Sequence, residues 1–431
     1  MSTSPVSPVP HFTTALTGPL LQLERQILDR QSTIESWFRS QWRRTPAPFY
    51  ASVDLRNSGY KVAPVDTNLF PAGFNNLNPA FDALSIQALQ QAVEHLGAPV
   101  DRIVIVPENH TRNLYYLENI AVLQRLLERA GFAVRLGSLL PDLKDEMAIP
   151  LPSGASVRLA PLVRNGKRVL AGDFDPDFVL LNNDLSSGTP PLLEDIEQML
   201  RPATRLGWAN RLKSVHFSFY QGVAKEFAVL LGIDPWFIDP MFRNCGAIDF
   251  MKREGQSCLE RNVEELLEAI THKYAEYAVQ CRPFVMVKAD AGTYGMGVMS
   301  AHSVAEVMEL NRKQRTRMAT TKEGQKVSKV IIQEGVYTHE TWGVGNAVAE
   351  PVVYMVDHNV VGGFYRVHTE RSSSENLNAP GMRFEPLAFE ECCITPDPAQ
   401  EPDAHPNRFY TYGVIGRLAL LAAARESQSV A

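Results

Sequence analysis

The chain has 431 residues, of which 45% are hydrophobic and 21% charged, with a formal net charge of −6. That length gives room for two or three domains with real cores, and that balance excludes a fibre, a disordered chain and the basic footprint of a nucleic-acid-binding surface. Five scattered cysteines (245, 258, 281, 392 and 393) lack C-x-x-C spacing and fit a reducing cytoplasm, and no apolar run reaches the roughly 18 residues that cross a bilayer.

The opening MSTSPVSPVP has neither the basic start nor the apolar core of a secretion signal and reads as a loose tail. Residues 53–77, VDLRNSGYKVAPVDTNLFPAGFNNL, are dense in groups that recognise an amino acid. Arg56 and Lys61 suit carboxylates, Asp66 an ammonium, and Asn68, Asn75 and Asn76 either one. A proline-punctuated loop bound to its own backbone is the alternative. The apolar anchors Leu69, Phe70 and Phe74 favour a segment ordered for a purpose.

From residue 84 the pattern alternates. A helical stretch (SIQALQQAVEHLG) precedes a strand (RIVIVPE), a helix capped by Thr111 and ended by Gly131, and a second strand (FAVRL), which together form a βαβ unit. Asn165-Gly166 predicts a hairpin turn, and the strand DFVLLNND leads to a Pro-capped helix at 190–200. Two polar clusters fall at the carboxyl ends of these parallel strands, where open α/β sheets bind ligands. One is PENHTRN, with Glu108, His110, Arg112 and Asn113; the other is LLNNDLSSG, with Asn182, Asn183, Asp184 and Ser186. Helix capping would also account for the first.

The expected fold class is therefore α/β, with a mainly parallel α/β substrate region over 1–260 and a boundary near 260. Beyond a long helix at 262–279 the texture turns antiparallel, with strands at 284–289, 329–336, 346–357 and 360–368 and a short C-terminal helix around LALLAAA. The first of these strands opens FVMVKADAGTYGMGVMS, a lysine at a strand end followed by Gly292, Gly295 and Gly297. Val298 and Met299 stand where a Walker A loop needs Lys and Ser or Thr, and the order G-x-x-G-x-G is not that of a dinucleotide fingerprint. What remains is a flexible loop that folds over phosphates with Lys288 reaching in. With Gln333-Glu334 at one strand end and Arg366 on another, the set suits a nucleotide held between two sheets.

This order resembles the ATP-grasp fold over residues 262–385, and VDHNVVGGFYRVHTERSSSENLNAPG is similar to a glutathione synthetase segment, here with Arg366, Asn376-Leu377 and Gly381. The resemblance implies a 261–431 nucleotide-binding region using Lys288, Gly292, Tyr294, Gly295, Gly297, Gln333 and Glu334, with Lys288 and Arg366 catalytic. It also implies a basic residue from GWANRLKSVHF, Lys213 or Arg211, at the nucleotide. Metal ligands in that fold come from an acid and an E-x-N pair; no clear E-x-N strand follows residue 385, which leaves Asp357, Glu350, Glu375, Asn376 and Asn378 as candidates. Over nearly its whole length the chain resembles the proteobacterial glutamate–cysteine ligases built like glutathione synthetase, on KVAPVDTNLFPAGFNNL, PENHTRN, LLNNDLS and VKADAGTYGMGV. That family implies ATP, Mg2+ and the substrates L-glutamate and L-cysteine, no nucleic-acid or membrane partner, and leaves a homo-oligomer open. The other readings are a different ATP-grasp amide ligase and a non-catalytic ATP-binding protein.

Overall fold

The computed structural model describes residues 19–292, 297–319, 326–343, 345–386 and 408–429. The chain begins with helices α1 (Pro19–Asp29) and α2 (Gln31–Trp42) and a hairpin of β1 (Tyr50–Asn57) and β2 (Val62–Asn68), followed by α3 (Asp82–Glu94). Next come β3 (Arg102–Pro107), α4 (Leu114–Arg129), β4 (Ala133–Ser138), β5 (Met147–Pro150), β6 (Ser156–Asn165), β7 (Arg168–Ala171), β8 (Phe178–Asn182) and β9 (Met199–Arg201). Helix α5 (Lys213–Leu231), β10 (Phe242–Cys245) and α6 (Gln256–Glu276) lead to β11 (Val285–Ala289), β12 (Val298–Ala301), α7 (Val304–Met308), α8 (Arg312–Ala319) and β13 (Val330–Glu334). The chain closes with β14 (Thr341–Trp342), β15 (Ala347–Val356), β16 (Asn359–His368), β17 (Arg383–Pro386) and α9 (Arg408–Ser429).

Among the described residues these strands make three sheets, so the fold is mixed α/β with both parallel and antiparallel pairing. Strands β6, β4, β3, β8 and β9 run parallel in that order, with β5 and β7 antiparallel at β6. A four-stranded antiparallel sheet has the order β10-β13-β11-β12, and the third has β17-β16-β15-β1-β2 with β14 beside β15. In the third sheet the 53–77 segment appears as a strand pair: β1 lies between β2 and β15, with Tyr50 opposite Val356 and Asp54 opposite Val352. Strands from both sides of residue 260 thus share one sheet.

Strand alternation then sorts β1. Ala51, Val53 and Leu55 point to a core shared with Val353 and Met355 and with Val414, Ile415 and Leu418 of α9, while Ser52, Asp54 and Arg56 point the other way. Helix α9 is longer than expected and buried nearly all round, which its weak polar face permits. Among the described residues no helix is long and apolar enough to cross a membrane.

Three local expectations are corrected. The helix expected at 190–200 is a 3-10 turn (Pro191–Leu193) and the short strand β9, because parallel pairing to β8 outweighs local propensity. Helix α4 starts later than Thr111, with the Asn113 side chain accepting from Tyr116 N. Cys245 and Cys258 are not scattered in space, their sulfurs lying 2.8 Å apart; Cys392 and Cys393 lie outside the described residues.

A buried ion pair fastens α9 to the rest. Arg211 donates through Nε and Nη2 to Glu426, both at 2.9 Å, and through Nη1 to Thr67 O, and His216 bridges Glu426 to Thr67 Oγ1. Burial would raise the Glu426 carboxyl, but Arg211 and His216 prevail and hold it at about 2. Glu426→Gln should cost about 3–5 kcal/mol at pH 7, since a buried guanidinium loses its partner. A depressed carboxylate contributes stability above its unfolded value and loses it as pH falls toward its folded one. The difference between the two proteins in urea unfolding should therefore shrink below pH 4.5 and vanish near 2.

Candidate functional site

The charged face of the third sheet opposes the four-stranded sheet across a cleft. Its floor is a row of side chains running across three strands. Glu350 of β15 sits between two arginines, with Arg56 Nε of β1 at 2.9 Å from Oε2 and Arg366 Nη1 of β16 at 2.5 Å from Oε1. Arg366 Nη1 also donates to Asp54 Oδ2 at 2.8 Å. Glu350 is 2% exposed and Arg366 8% exposed, so these charges are held by one another rather than by water. Burial alone would raise the Glu350 carboxyl, yet the two arginines lower it; burial dominates at Asp54 and raises it despite Arg366.

The facing wall is cationic. Lys288 of β11 donates to Val65 O at 2.9 Å and to Gln333 Oε1 at 2.7 Å, and burial drops its ammonium to about 8 although Asp66 works to raise it. Lys213, the first residue of α5, grips both oxygens of Asp66 at 2.8 and 3.0 Å and lies over the Trp208 ring. Asp290, two residues beyond Lys288, accepts from Ser214 N and Oγ at 2.7 Å each and so locks the β11 strand end to the α5 N-terminus. Behind Asp290 comes Gly292 at φ +105°, a conformation open to glycine and strained for other residues, and it too lines the cleft.

Because these groups reach across and pair, the cleft keeps only about 70 Å³ of free space. A charged ligand would have to exchange its own charges for those pairs. At the cleft, two buried donors have no hydrogen-bond partner among the described residues, Arg366 Nε and Gln333 Nε2. An orphaned guanidinium N–H beside cationic side chains fits phosphate oxygens, and the Asp54 and Glu350 carboxylates fit the hard cation that accompanies them.

Of the residues singled out in the sequence, Arg56, Asp66, Lys213, Lys288, Gly292, Glu334, Glu350, Arg366, Asn376 and Asn378 line this one cleft. Arg56 helps to bring the last two in, donating to Ser373 O at 3.0 Å and to Glu375 O at 2.5 Å. Gln333 touches it through Lys288, and Gly297 closes the loop by accepting from Ala289 N at 2.9 Å. Tyr294 and Gly295 lie outside the described residues.

Other residues go elsewhere. Lys61 is fully buried, 2.6 Å from Glu334 Oε2 and over the Trp236 ring, a tie within the core. Arg211 serves Glu426 rather than the cleft. Asn68 bonds the Phe70 backbone, and Asn75 and Asn76 sit in a 3-10 turn beside Tyr115. Asn183 lines a second cavity, of about 360 Å³, together with Glu108, His110, Asp184 and Ser186, so the two strand-end clusters do meet each other. Arg112 is exposed near it. Asp357 is the clearest displacement: it is seven residues along β15 from Glu350, roughly 23 Å at strand spacing, too far for one ion to bridge.

Sequence reasoning missed Asp54 and Asp290. The signal for Asp54 was present, since alternation puts it on the same face as Arg56. Asp290 gave none, because its partner Ser214 lies 76 residues earlier in the chain.

The model of the glutamate-cysteine ligase family (GshA) matches residues 24–427. A protein from Methylobacillus flagellatus KT, named provisionally as a gamma-glutamylcysteine synthetase, is similar in structure with a TM-score of 0.91 and 56% identity over 98% of this chain and 99% of its own. Two weaker likenesses, both at 10% identity, are a D-alanyl-alanine synthetase A from Vibrio cholerae and a glutathione synthetase-like effector from Globodera pallida. The first has a TM-score of 0.34 over 74% of this chain and 80% of its own, the second 0.35 over 81% and 77%. No match was found among the curated proteins.

The lowered Lys288 predicts a proton linkage. Filling the cleft with a polyanion favours the charged lysine, so binding should take up protons at about pH 8 and somewhat above. Calorimetry in buffers of different ionisation enthalpy measures the uptake. Lys288→Arg, charged throughout, should abolish it; uptake of the same size in that variant would place the titrating group elsewhere.

Proposed function

The chain belongs to the glutamate–cysteine ligase family, and from that premise we propose that the cleft between the two antiparallel sheets is where its reaction runs. The reaction joins the side-chain carboxylate of L-glutamate to the amine of L-cysteine. A carboxylate is a poor acyl donor, and ATP with Mg2+ would supply the phosphoryl group that turns it into an acyl phosphate. The observation that carries this reading is the row Arg56–Glu350–Arg366 faced by Lys213 and Lys288, with the Arg366 Nε donor unpartnered among the described residues.

On this reading Lys288 and Arg366 offset the charge that builds on the transferring phosphoryl group, and both are held before any ligand arrives. Lys213 and Gly292 would take the remaining phosphates. Glu350, Asn376, Asn378 and the Asp54 carboxylate are the groups that would hold magnesium. Arg56 and Asp66 would meet the carboxylate and ammonium of an amino acid, and the cavity at Asn183 is the alternative place for one substrate. The arrangement of the two sheets supports an ATP-grasp-like division of labour, with nucleotide contacts drawn mainly from residues after 260 and amino-acid contacts from those before it. A cytoplasmic setting suits cysteine, which must stay reduced to be consumed.

ADP release with magnesium-ATP should need L-glutamate and L-cysteine together and should yield the γ-linked dipeptide. Release with glycine and γ-glutamylcysteine instead would move the substrate assignment, and ATP binding without turnover would leave a binding protein. Lys288→Ala should lower kcat on the order of 100-fold or more without changing the circular dichroism; near-normal turnover would remove Lys288 from the mechanism.

A further inference from the structure

Asp357 does not stand alone at the far end of β15. Two imidazoles converge on a single oxygen of its side chain, His95 Nδ1 at 2.8 Å from Oδ2 and His358 Nδ1 at 3.0 Å. The ligand atoms of all three lie within 4.8 Å of one another. We propose that His95, Asp357 and His358 form a binding site for a borderline divalent cation of the Zn2+ type, separate from the cleft.

The donor set decides the class of metal. Mg2+ and Ca2+ take oxygen ligands, whereas two imidazoles with one carboxylate suit zinc and its transition-metal neighbours. Zinc sits about 2.0–2.2 Å from such atoms, and a tetrahedron of that size spaces its ligands about 3.3 Å apart. The observed 2.8 and 3.0 Å are a few tenths of an ångström short, so small outward turns of the rings would admit the ion. Those rings can turn: the His95 side chain is 56% exposed and that of His358 31%, while Asp357 is 8% exposed and fixed. The same exposure leaves a fourth position to water.

The surroundings hold the three ligands in register. Asn359 Nδ2 donates to Gln91 Oε1 at 3.0 Å, and Gln91 precedes His95 by one turn at the end of α3, so helix and hairpin turn are tied at a fixed separation. Asp357 N donates to Phe49 O at 2.8 Å, and the Trp42 ring stacks on His358. Such supporting contacts orient metal ligands before the metal arrives. An ion here would clasp α3 to the β15–β16 hairpin, whose other end carries Glu350 and Arg366.

The test uses the full chain freed of metal by a chelator and titrated with Zn2+ against a chromophoric competitor, with melting followed in parallel. The wild type should bind zinc and melt at a higher temperature with it. His95→Ala, at an exposed side chain, and His358→Ala, at a half-buried one, should fold without zinc, weaken its binding about tenfold or more, and lose the zinc-dependent rise. Their ligase activity with magnesium should stay at the wild-type level. Cys245→Ser, a control for the paired thiols, should bind as the wild type does. Zinc binding unchanged in both histidine variants, or lost in Cys245→Ser, overturns the proposal.

Discussion

The structure turns on one carboxylate, that of Glu350, lodged between Arg56 and Arg366. An isolated carboxylate in that position would be expelled or neutralised, since desolvation costs several kcal/mol per ion. Two guanidinium groups and the Asp54 oxygen behind one of them convert the liability into a rigid lattice of charge-assisted bonds. The lattice in turn fixes the order of the sheet: β1 must lie beside β15, and β15 beside β16, in a register that brings residues 56, 350 and 366 into line. A slip by one residue would turn Arg56 into the aliphatic core beneath α9 and Leu55 into the cleft.

On the proposed function, the same lattice leaves the cationic groups of the cleft aimed into it. The two lysines facing it are held by modest partners, a carbonyl and an amide for Lys288 and a lone carboxylate for Lys213. Such partners keep the ammonium groups aimed at the cleft and can be released when a more highly charged ligand competes. If the proposed reaction runs here, reorganisation, the main electrostatic penalty of catalysis in water, has been met during folding. The lowered Lys288 records the cost of that arrangement, a charge kept under burial that Asp66 and, less strongly, Glu350 offset in part.

Much of this was legible in the sequence, and the boundary of legibility is physical. The alternation of strands and helices through residues 84–182 showed plainly because each element there packs on its sequence neighbours, and Lys288, the glycine loop and Arg366 could be named because strand-then-glycine chemistry is local. The family resemblance likewise rested on long contiguous motifs, and the match over residues 24–427 agrees with it. What stayed hidden depends on partners far along the chain. The stretch 53–77 reads as a polar loop until a strand 300 residues later supplies its ladder, Lys61 reads as a ligand-binding cation until Glu334 claims it, and Asp357 reads as a companion of Glu350 until strand geometry carries it to the opposite end of β15. The proline pair at 190–191 suggests a helix start that parallel pairing with β8 then overrides.

This dependence on distant partners has a consequence for how the site is assembled. Arg56 and Glu350 are 294 residues apart and Arg211 and Glu426 are 215 apart, so neither pair can form until most of the chain is in place. Closing loops of that size carries an entropic cost that grows only slowly with length, but it must be met before the contacts can repay it. The parallel α/β core and the β11–β13 sheet can gather locally; the row of charges cannot. Helix α9 is what completes the enclosure, since it packs on α5, β1 and β2 and carries Glu426 to the pair that also holds the end of β2. The chain's last described helix therefore supports the cleft from the face opposite its charges. Changes in that apolar helix would reach Arg56 through the strand that both of them share.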